Sequence, residues 1–293
     1  MGSVPFPGLW SIRGRSLSLE RPLVMGVLNV TPDSFSDGGR FSDPARALER
    51  AVEMVEEGAD LLDVGGESTR PGAAPVESRA EMERVLPVVR LLKARLPVPV
   101  SVDTRRAEVA RAALAEGAEI VNDVSALADP EMGGVVAESG AGVVLMHMRG
   151  TPQTMQLDPR YGDVAGEVAD ELSVAVERAR AAGIPDGRIT IDPGIGFAKT
   201  AEHNLELIAR LGELTRLGFP VLFGPSRKAF IGKILGGIPA EERGAGTAAA
   251  CVVGLLHGAR IFRVHDVRTV RHALDVAEAI RRALPTPAAA QAP

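Results

Sequence analysis

The chain has a single cysteine, Cys251, in 293 residues. That excludes an intrachain disulfide framework and a zinc cluster built on thiolates, and it accords with a reducing compartment. No apolar run approaches the roughly 20 residues of a membrane span, and the opening MGSVPFPGLWSIRGRS lacks the charged-then-apolar order of a secretory signal. The expectation is a cytoplasmic protein with no membrane partner. Basic charge is not in excess either: 33 Lys and Arg stand against 38 Asp and Glu, a net charge of -5, so nucleic acid is not an expected partner. Any anion must be caught locally. Lysine is confined to positions 93, 199, 228 and 233, which makes each one in a loop worth weighing.

Several chemical signatures are also missing. There is no G-x-S-x-G elbow, no loop cysteine and no cage of His and Cys, so covalent catalysis by a protein nucleophile is not indicated. No GxGxxG opens the first crossover, which argues against a doubly wound open sheet. No linker rich in Gly, Pro or Ser divides the chain, so one domain is expected over residues 1–284. The remaining PTPAAAQAP, 285–293, has no periodicity and little apolar bulk, and is expected to be disordered.

What is present is an alternation. Eight short apolar, β-branched runs recur: LVMGVLNV (23–30), LLDVGGE (61–67), VPVSVDT (98–104), EIVNDV (119–124), GVVLMHM (142–148), RITIDPG (188–194), PVLFGPS (220–226) and RIFRVHD (260–266). Each reads as a buried strand, and segments of helical spacing separate them. Eight strand–helix units predict an α/β fold, a single (β/α)8 TIM barrel. Ahead of the first run, LWSIRGRSLSLERP predicts a β-hairpin with Arg13 and Gly14 at its turn, placed at the bottom of the barrel.

In such a barrel the C-terminal strand ends and the loops after them form the active face. The runs end in Asn29, Asp63 and Glu67, Asp103, Asn122 and Asp123, His147, Asp192, Ser226 with Arg227 and Lys228, and Arg263 with His265. Helix capping is the competing explanation for acids and amides at such places. It suits Asp43, Asp129 and Asp163, each directly before a helical pattern. Asp103 and Asp192 lie within apolar strands, where a buried carboxylate needs a partner, so they read as ligand-binding. Asn122 fits either reading, and His147 reads as a packing residue of the mouth.

Lys228, Arg263 and His265 follow the seventh and eighth strands, where this fold usually holds phosphate, and they suit a diphosphate. A salt-bridge network on the rim is the alternative. Two long loops, NVTPDSFSDGGRFS and GGESTRPGAAPVES, read as lids, with Asn29 facing an anionic leaving group and the Thr69 and Arg70 loop closing over it. A diphosphate clamp beside carboxylates that can read a guanidinium-like heterocycle suits substitution at carbon with diphosphate leaving.

VMGVLNVTPDSFSDGG, DVGGESTRPGA, VDTRR, VNDV, HMRGTPQTMQ, DPGIGFAK, GPSRKAFIG and RVHDV together resemble the dihydropteroate synthase family, in order, from about residue 10 to 284. Ala229, after SRK, is one small departure. The resemblance implies a transferase of folate biosynthesis that condenses (7,8-dihydropterin-6-yl)methyl diphosphate with 4-aminobenzoate. It implies a pterin pocket of Asp103, Asn122, Met146, Asp192, Phe197, Gly224 and Lys228, with Asp192 at the amino-pyrimidine edge. It assigns Asn29, Thr69, Arg70, Arg263 and His265 to the diphosphate, with Asn29 on Mg2+. It gives Phe35, Thr69, Arg70, Pro71, Phe197, Ser226 and Lys228 to 4-aminobenzoate, and Arg263, Lys228 and Asp103 to catalysis. It also implies a homodimer. Pterin-dependent methyl transfer and a pterin-binding protein without turnover are the competing readings, and a barrel hydrolase of phosphate esters lacks its multi-carboxylate metal site.

Overall fold

A computed structural model describes residues 8–31 and 44–283. It begins with an antiparallel hairpin, β1 (Leu9–Ile12) and β2 (Arg15–Ser18), whose turn needs Gly14 at φ +76°. The barrel then runs β3 (Leu23–Asn29), α1 (Pro44–Glu56), β4 (Leu61–Gly65), α2 (Ser78–Arg95), β5 (Val100–Asp103), α3 (Ala107–Ala115), β6 (Ile120–Asp123) and α4 (Met132–Ser139). It continues with β7 (Gly142–Met146), α5 (Val164–Ala181), β8 (Ile189–Asp192), α6 (Ala201–Ala209), α7 (Gly212–Thr215), β9 (Leu222–Phe223), α8 (Ala229–Ile234), α9 (Gly244–Leu256), β10 (Ile261–Val264) and α10 (Val267–Ala283).

The eight strands β3 to β10 are parallel in the order β8-β7-β6-β5-β4-β3-β10-β9. A bridge from Ile191 to Val221 joins the two ends, so the eight-stranded barrel expected from the sequence forms. The strand β9 is only two residues long because Gly224 and Pro225 follow it, and proline has no N–H to give a ladder.

Side-chain parity sorts each strand. Leu23 and Met25, Leu61, Ile120, Val144, Leu222 and Ile261 point inward and pack on Trp10, Ile12 and Leu19 of the hairpin region. The intervening residues, such as Val24, Leu62, Val64 and Val102, meet the helices in the outer core. The hairpin therefore plugs the barrel bottom, with Trp10 fully buried and its Nε1–H donating to the Arg188 carbonyl at 3.0 Å. A Cβ on Gly142 would stand 2.8 Å from Ile12, so β7 must start on glycine for the plug to seat.

Helices close the outside through regular spacing. The helix α1 buries Ala47, Ala51 and Met54, one face of a 3.6-residue period. The small residues of α9 serve its own barrel: a Cβ on Gly254 would lie 2.8 Å from the Phe223 ring, and one on Gly246 would lie 2.5 Å from Ile231. Of the acids read as caps, Asp163 caps α5 by accepting from Gly166 N. Asp129 accepts from Ala107 N at 2.9 Å and from Glu131 N at 3.0 Å, tying the starts of α3 and α4 together. Asp43 and the tail 285–293 lie outside the described residues.

Candidate active site

The same parity that sends Leu61 and Ile120 into the bottom layer sends Asp63, Asp103, Asn122, Asp192 and Arg263 into the top. A cleft of about 340 Å³ opens there. All seven residues expected to form the pterin pocket line it: Asp103, Asn122, Met146, Asp192, Phe197, Gly224 and Lys228. Thr69 and Arg263 join them from the loop after β4 and from β10. Val124 and Ile195 also line it and were not singled out from sequence; Val124 was findable, because it lies two residues beyond Asn122 on the same strand face. Asn122 and its neighbour Asp123 separate by that rule. Asp123 turns away and ties the following turn through Ser125 N, Ser125 Oγ and Leu127 N.

Arg263 organises the floor. Its Nε donates to Asp63 Oδ2 at 2.6 Å and its Nη2 to Asp103 Oδ2 at 2.7 Å. Asn122 Nδ2 donates to the same Asp63 oxygen at 3.0 Å, so one buried carboxylate sets two cleft residues. The importance of Asp63 was not drawn out of the sequence, where it looked like one more polar strand end. Its Oδ1 is buried with no partner among the described residues.

Three carboxylates, Asp63, Asp103 and Asp192, here face two cations, Arg263 and Lys228. Burial pushes Asp103 up to about 7, with Arg263 opposing and Asp63 adding to the rise. Asp192 is pushed up to about 6 by burial, against the Gly194 N–H and the Lys228 charge. Burial works against the Arg263 charge as well, but Asp63 and Asp103 outweigh it and hold its pKa above the ordinary value. Lys228 is drawn down to about 8 by burial and Arg263, with Asp192 and Asp103 resisting.

Asp192 accepts from Gly194 N at 2.7 Å through Oδ1, and among the described residues no donor is bonded to Oδ2. Lys228 Nζ lies 4.0 Å over the Phe197 ring, a cation–π contact that ties the loop after β9 to the loop after β8. Close approach is what glycine permits here: Gly196 sits at φ +81°, and a Cβ on it would stand 2.8 Å from the Lys228 stem.

Ser226 and His265 form a pair beside the cleft. His265 N donates to Ser226 Oγ at 3.2 Å, and that oxygen lies 3.0 Å from His265 Nδ1. Burial, then Arg263 and Arg227, draw His265 down to about 3, so the ring is neutral.

The remaining expected residues stand at the rim. Asn29 is half-buried at the end of β3, and a Cβ on Gly65 would meet both Asn29 Oδ1 and Asp103 Oδ2, at 3.6 and 3.7 Å. Arg70 and Pro71 are exposed on the loop after β4, yet the Arg70 charge bears on Lys228 and His265. Phe35 and most of the first lid loop lie outside the described residues. His147 is 4% exposed, as expected of a mouth packing residue, but it is bonded on both ring nitrogens. His257 ends α9 as an exposed C-cap.

Residues 25–265 match the family described as pterin binding enzyme. The chain is 51% identical over 264 residues to the dihydropteroate synthase of Synechocystis sp., covering 90% of this chain and 91% of that one. It superposes with a TM-score of 0.90 and 46% identity on the Xanthomonas albilineans dihydropteroate synthase with 4-aminobenzoic acid, covering 95% of this chain and all 100% of that one. The Burkholderia cenocepacia dihydropteroate synthase complexed with 7,8-dihydropteroate matches at TM-score 0.87 and 43% identity, over 95% and 98% of the two chains. A barrel whose strand ends converge as described, carrying these likenesses along nearly its whole length, belongs to the dihydropteroate synthase family.

Proposed function

We propose that this chain condenses (7,8-dihydropterin-6-yl)methyl diphosphate with 4-aminobenzoate, giving 7,8-dihydropteroate and diphosphate. The observation that carries this is that Asp192, whose Oδ2 takes no hydrogen bond among the described residues, lines one cleft together with Arg263 and Lys228. Relatives solved with 4-aminobenzoic acid and with 7,8-dihydropteroate support it.

In this reading Asp192 accepts paired hydrogen bonds from the amino-pyrimidine edge, with Asn122 and Asp103 completing the polar floor and Met146 and Phe197 bounding the ring. The Gly224 backbone allows close approach. The CH2–O bond breaks first, and its electron pair leaves with the diphosphate while the electron-rich dihydropterin spreads the positive charge. The amine lone pair of 4-aminobenzoate then forms the CH2–N bond, and the amine proton is lost to solvent. No strong protein base is needed, because an aromatic amine is unprotonated near neutral pH.

Arg263, His265 and the Thr69 and Arg70 loop stabilise the leaving charge. Arg263 keeps Nη1 for this work after Asp63 and Asp103 have taken Nε and Nη2. Lys228, Ser226, Pro71 and Phe35 serve the 4-aminobenzoate side. For Mg2+, the described residue that would hold it is Asn29, through its neutral Oδ1 at the end of β3. That fits an ion that takes few protein ligands and keeps phosphate oxygens and water around it. When bound it supplies charge neutralisation to the diphosphate.

A homodimer in the cytoplasm belongs to the same proposal. Exposed Ile234 at the end of α8 and Leu235 just after it, Val253 and Leu256 on α9, and Val276 and Ile280 on α10 favour a subunit contact on that side. Among the described residues no helix is long and apolar enough to cross a membrane. The deciding experiment follows diphosphate release with and without 4-aminobenzoate while dihydropteroate is separated by chromatography. Equal amounts of both products are expected; pterin binding without either product overturns the reading.

A further inference from the structure

The loop after β8, residues 193–198, carries Ile195 and Phe197 to the cleft and follows directly on Asp192. Within itself it makes a single turn bond, Phe197 N to Gly194 O at 3.0 Å. Gly194, Gly196 and Ala198 all adopt left-handed backbone, at φ +66°, +81° and +49°, so regular ladder bonds are broken through it. Side chains from elsewhere take over. Asn204 Oδ1 receives Gly196 N at 2.6 Å, and Gln156 Nε2 donates to Gly196 O at 3.0 Å.

Lys199 does the most. It is 3% exposed, and its Nζ lies 3.2 Å from Gly194 O, 3.1 Å from Phe197 O and 3.0 Å from His147 Nδ1. An ammonium has three N–H donors, and here they meet three acceptors. Because Nδ1 accepts, His147 carries its proton on Nε2 and donates it to Glu171 Oε2 at 3.0 Å. Burial first, and then the Lys199 charge, keep that ring neutral by drawing it down to about 3. Glu171 is anchored in turn by Arg149, whose guanidinium lies 4.1 Å over the Tyr161 ring. The chain Glu171, His147, Lys199 thus ends on two carbonyls of one cleft loop.

The fit against β7 is equally tight. A Cβ on Gly194 would fall 1.9 Å from His147 O, and His147 N donates to Asp192 O at 2.9 Å. The loop is pinned from behind, on the side away from the cleft. We propose that Lys199 is a positioning residue for the pterin half of the site, its ammonium clasping the 193–198 loop so that Asp192, Ile195 and Phe197 keep one arrangement. Burial works against that charge and draws it down to about 7, with Asp192 and Glu171 supporting it and Arg149 and Lys228 opposing. Lys199 touches neither substrate in this scheme.

The proposal rests on the synthase reading, and its test separates the two. Wild-type enzyme and the Lys199→Met variant are assayed by steady-state kinetics with each substrate varied, and kcat is taken per folded molecule by titrating the folded fraction. The expected result is a KM for the pterin diphosphate raised about tenfold, with kcat within about twofold of wild type and the KM for 4-aminobenzoate, which Phe197 also borders, raised by less than the pterin KM. An unchanged pterin KM overturns the clasp, even if the variant is less stable. Should Lys199→Met not fold, His147→Gln decides: it removes the Nδ1 acceptor while leaving both carbonyls, and a rise of about threefold in pterin KM is expected, with no rise overturning the proposal. A wild-type chain without turnover would instead sink the synthase reading itself.

Discussion

The two ends of the barrel both bury carboxylates, and they treat them in opposite ways. At the bottom, Glu119 accepts from Arg15 Nε at 2.8 Å, from Lys93 Nζ at 2.7 Å and from Val100 N at 3.1 Å. Asp60 does the same before β4, with Val24 N at 2.8 Å and Arg21 Nη1 at 3.2 Å. Both carboxylates there are answered by donors of the fold. At the top, among the described residues, Asp63 keeps a buried oxygen unpartnered and Asp192 has one oxygen without a bonded donor, and Asp103 and Asp192 sit at about 7 and 6. Buried polar groups normally find partners, so a strand end that leaves them unanswered is shaped for something that arrives later. The bottom of this barrel holds the fold together, and the top holds a place open.

The sharpest way to break this division is to damage the bottom and look for an effect at the top. Trp10→Ala empties the plug of its largest fully buried side chain and is expected to cost about 3–5 kcal/mol in urea unfolding. Its pterin KM, measured on the molecules that remain folded, is expected to stay at the wild-type value; a raised KM would mean the two ends are coupled. The next largest effect runs the other way. Arg263→Ala is expected to lower the rate of diphosphate release by about 10²- to 10³-fold, because it removes a donor to the leaving group and frees Asp63 and Asp103 from their anchor. Its circular dichroism spectrum should match wild type, since the strands and helices are built without this side chain. Turnover within tenfold of wild type would remove Arg263 from the leaving-group role.

The sequence carried this architecture well and the wiring poorly. Eight apolar runs were legible because a strand buried on both faces must be continuous in β-branched residues. Their polar ends were legible because Asp and Arg are costly inside a strand. The seventh run, read as 220–226, shrank to Leu222–Phe223 because Gly224 and Pro225 cannot continue a ladder, and pattern alone does not set such boundaries. Pairing was hidden for a different reason. Arg263 and Asp63 are 200 residues apart, and only barrel closure brings β10 beside β3 and so near β4. The scarcity of lysine points to Lys199, but two of its three acceptors are backbone carbonyls, which no residue type announces. The Thr200 and His203 capping box at α6 went unread because His at the third helical position is outside the usual Glu or Gln pattern.

The subtlest test concerns Asp192, whose two tasks conflict. Its folded pKa of about 6 lies above the reference value of 3.8, so in the window between the two the folded state holds a proton that the unfolded chain has released. Stability contributed by this proton is complete below about pH 4 and is lost as pH rises through 6, which makes the ionised carboxylate a burden on the ligand-free fold at neutral pH. Asp192→Asn keeps the shape and cannot ionise. In urea unfolding at pH 7 it is therefore expected to be more stable than wild type by about 1 kcal/mol, with the gain shrinking at pH 4.5. Its pterin KM should rise by about tenfold, because an amide replaces one acceptor oxygen with a donor that faces the donors of the amino-pyrimidine edge. A variant that binds pterin worse and folds better would show that the top of the barrel is arranged for its ligand at the expense of the fold. A loss of stability at pH 7 would instead place Asp192 with Glu119 and Asp60, among the charges the fold needs for itself.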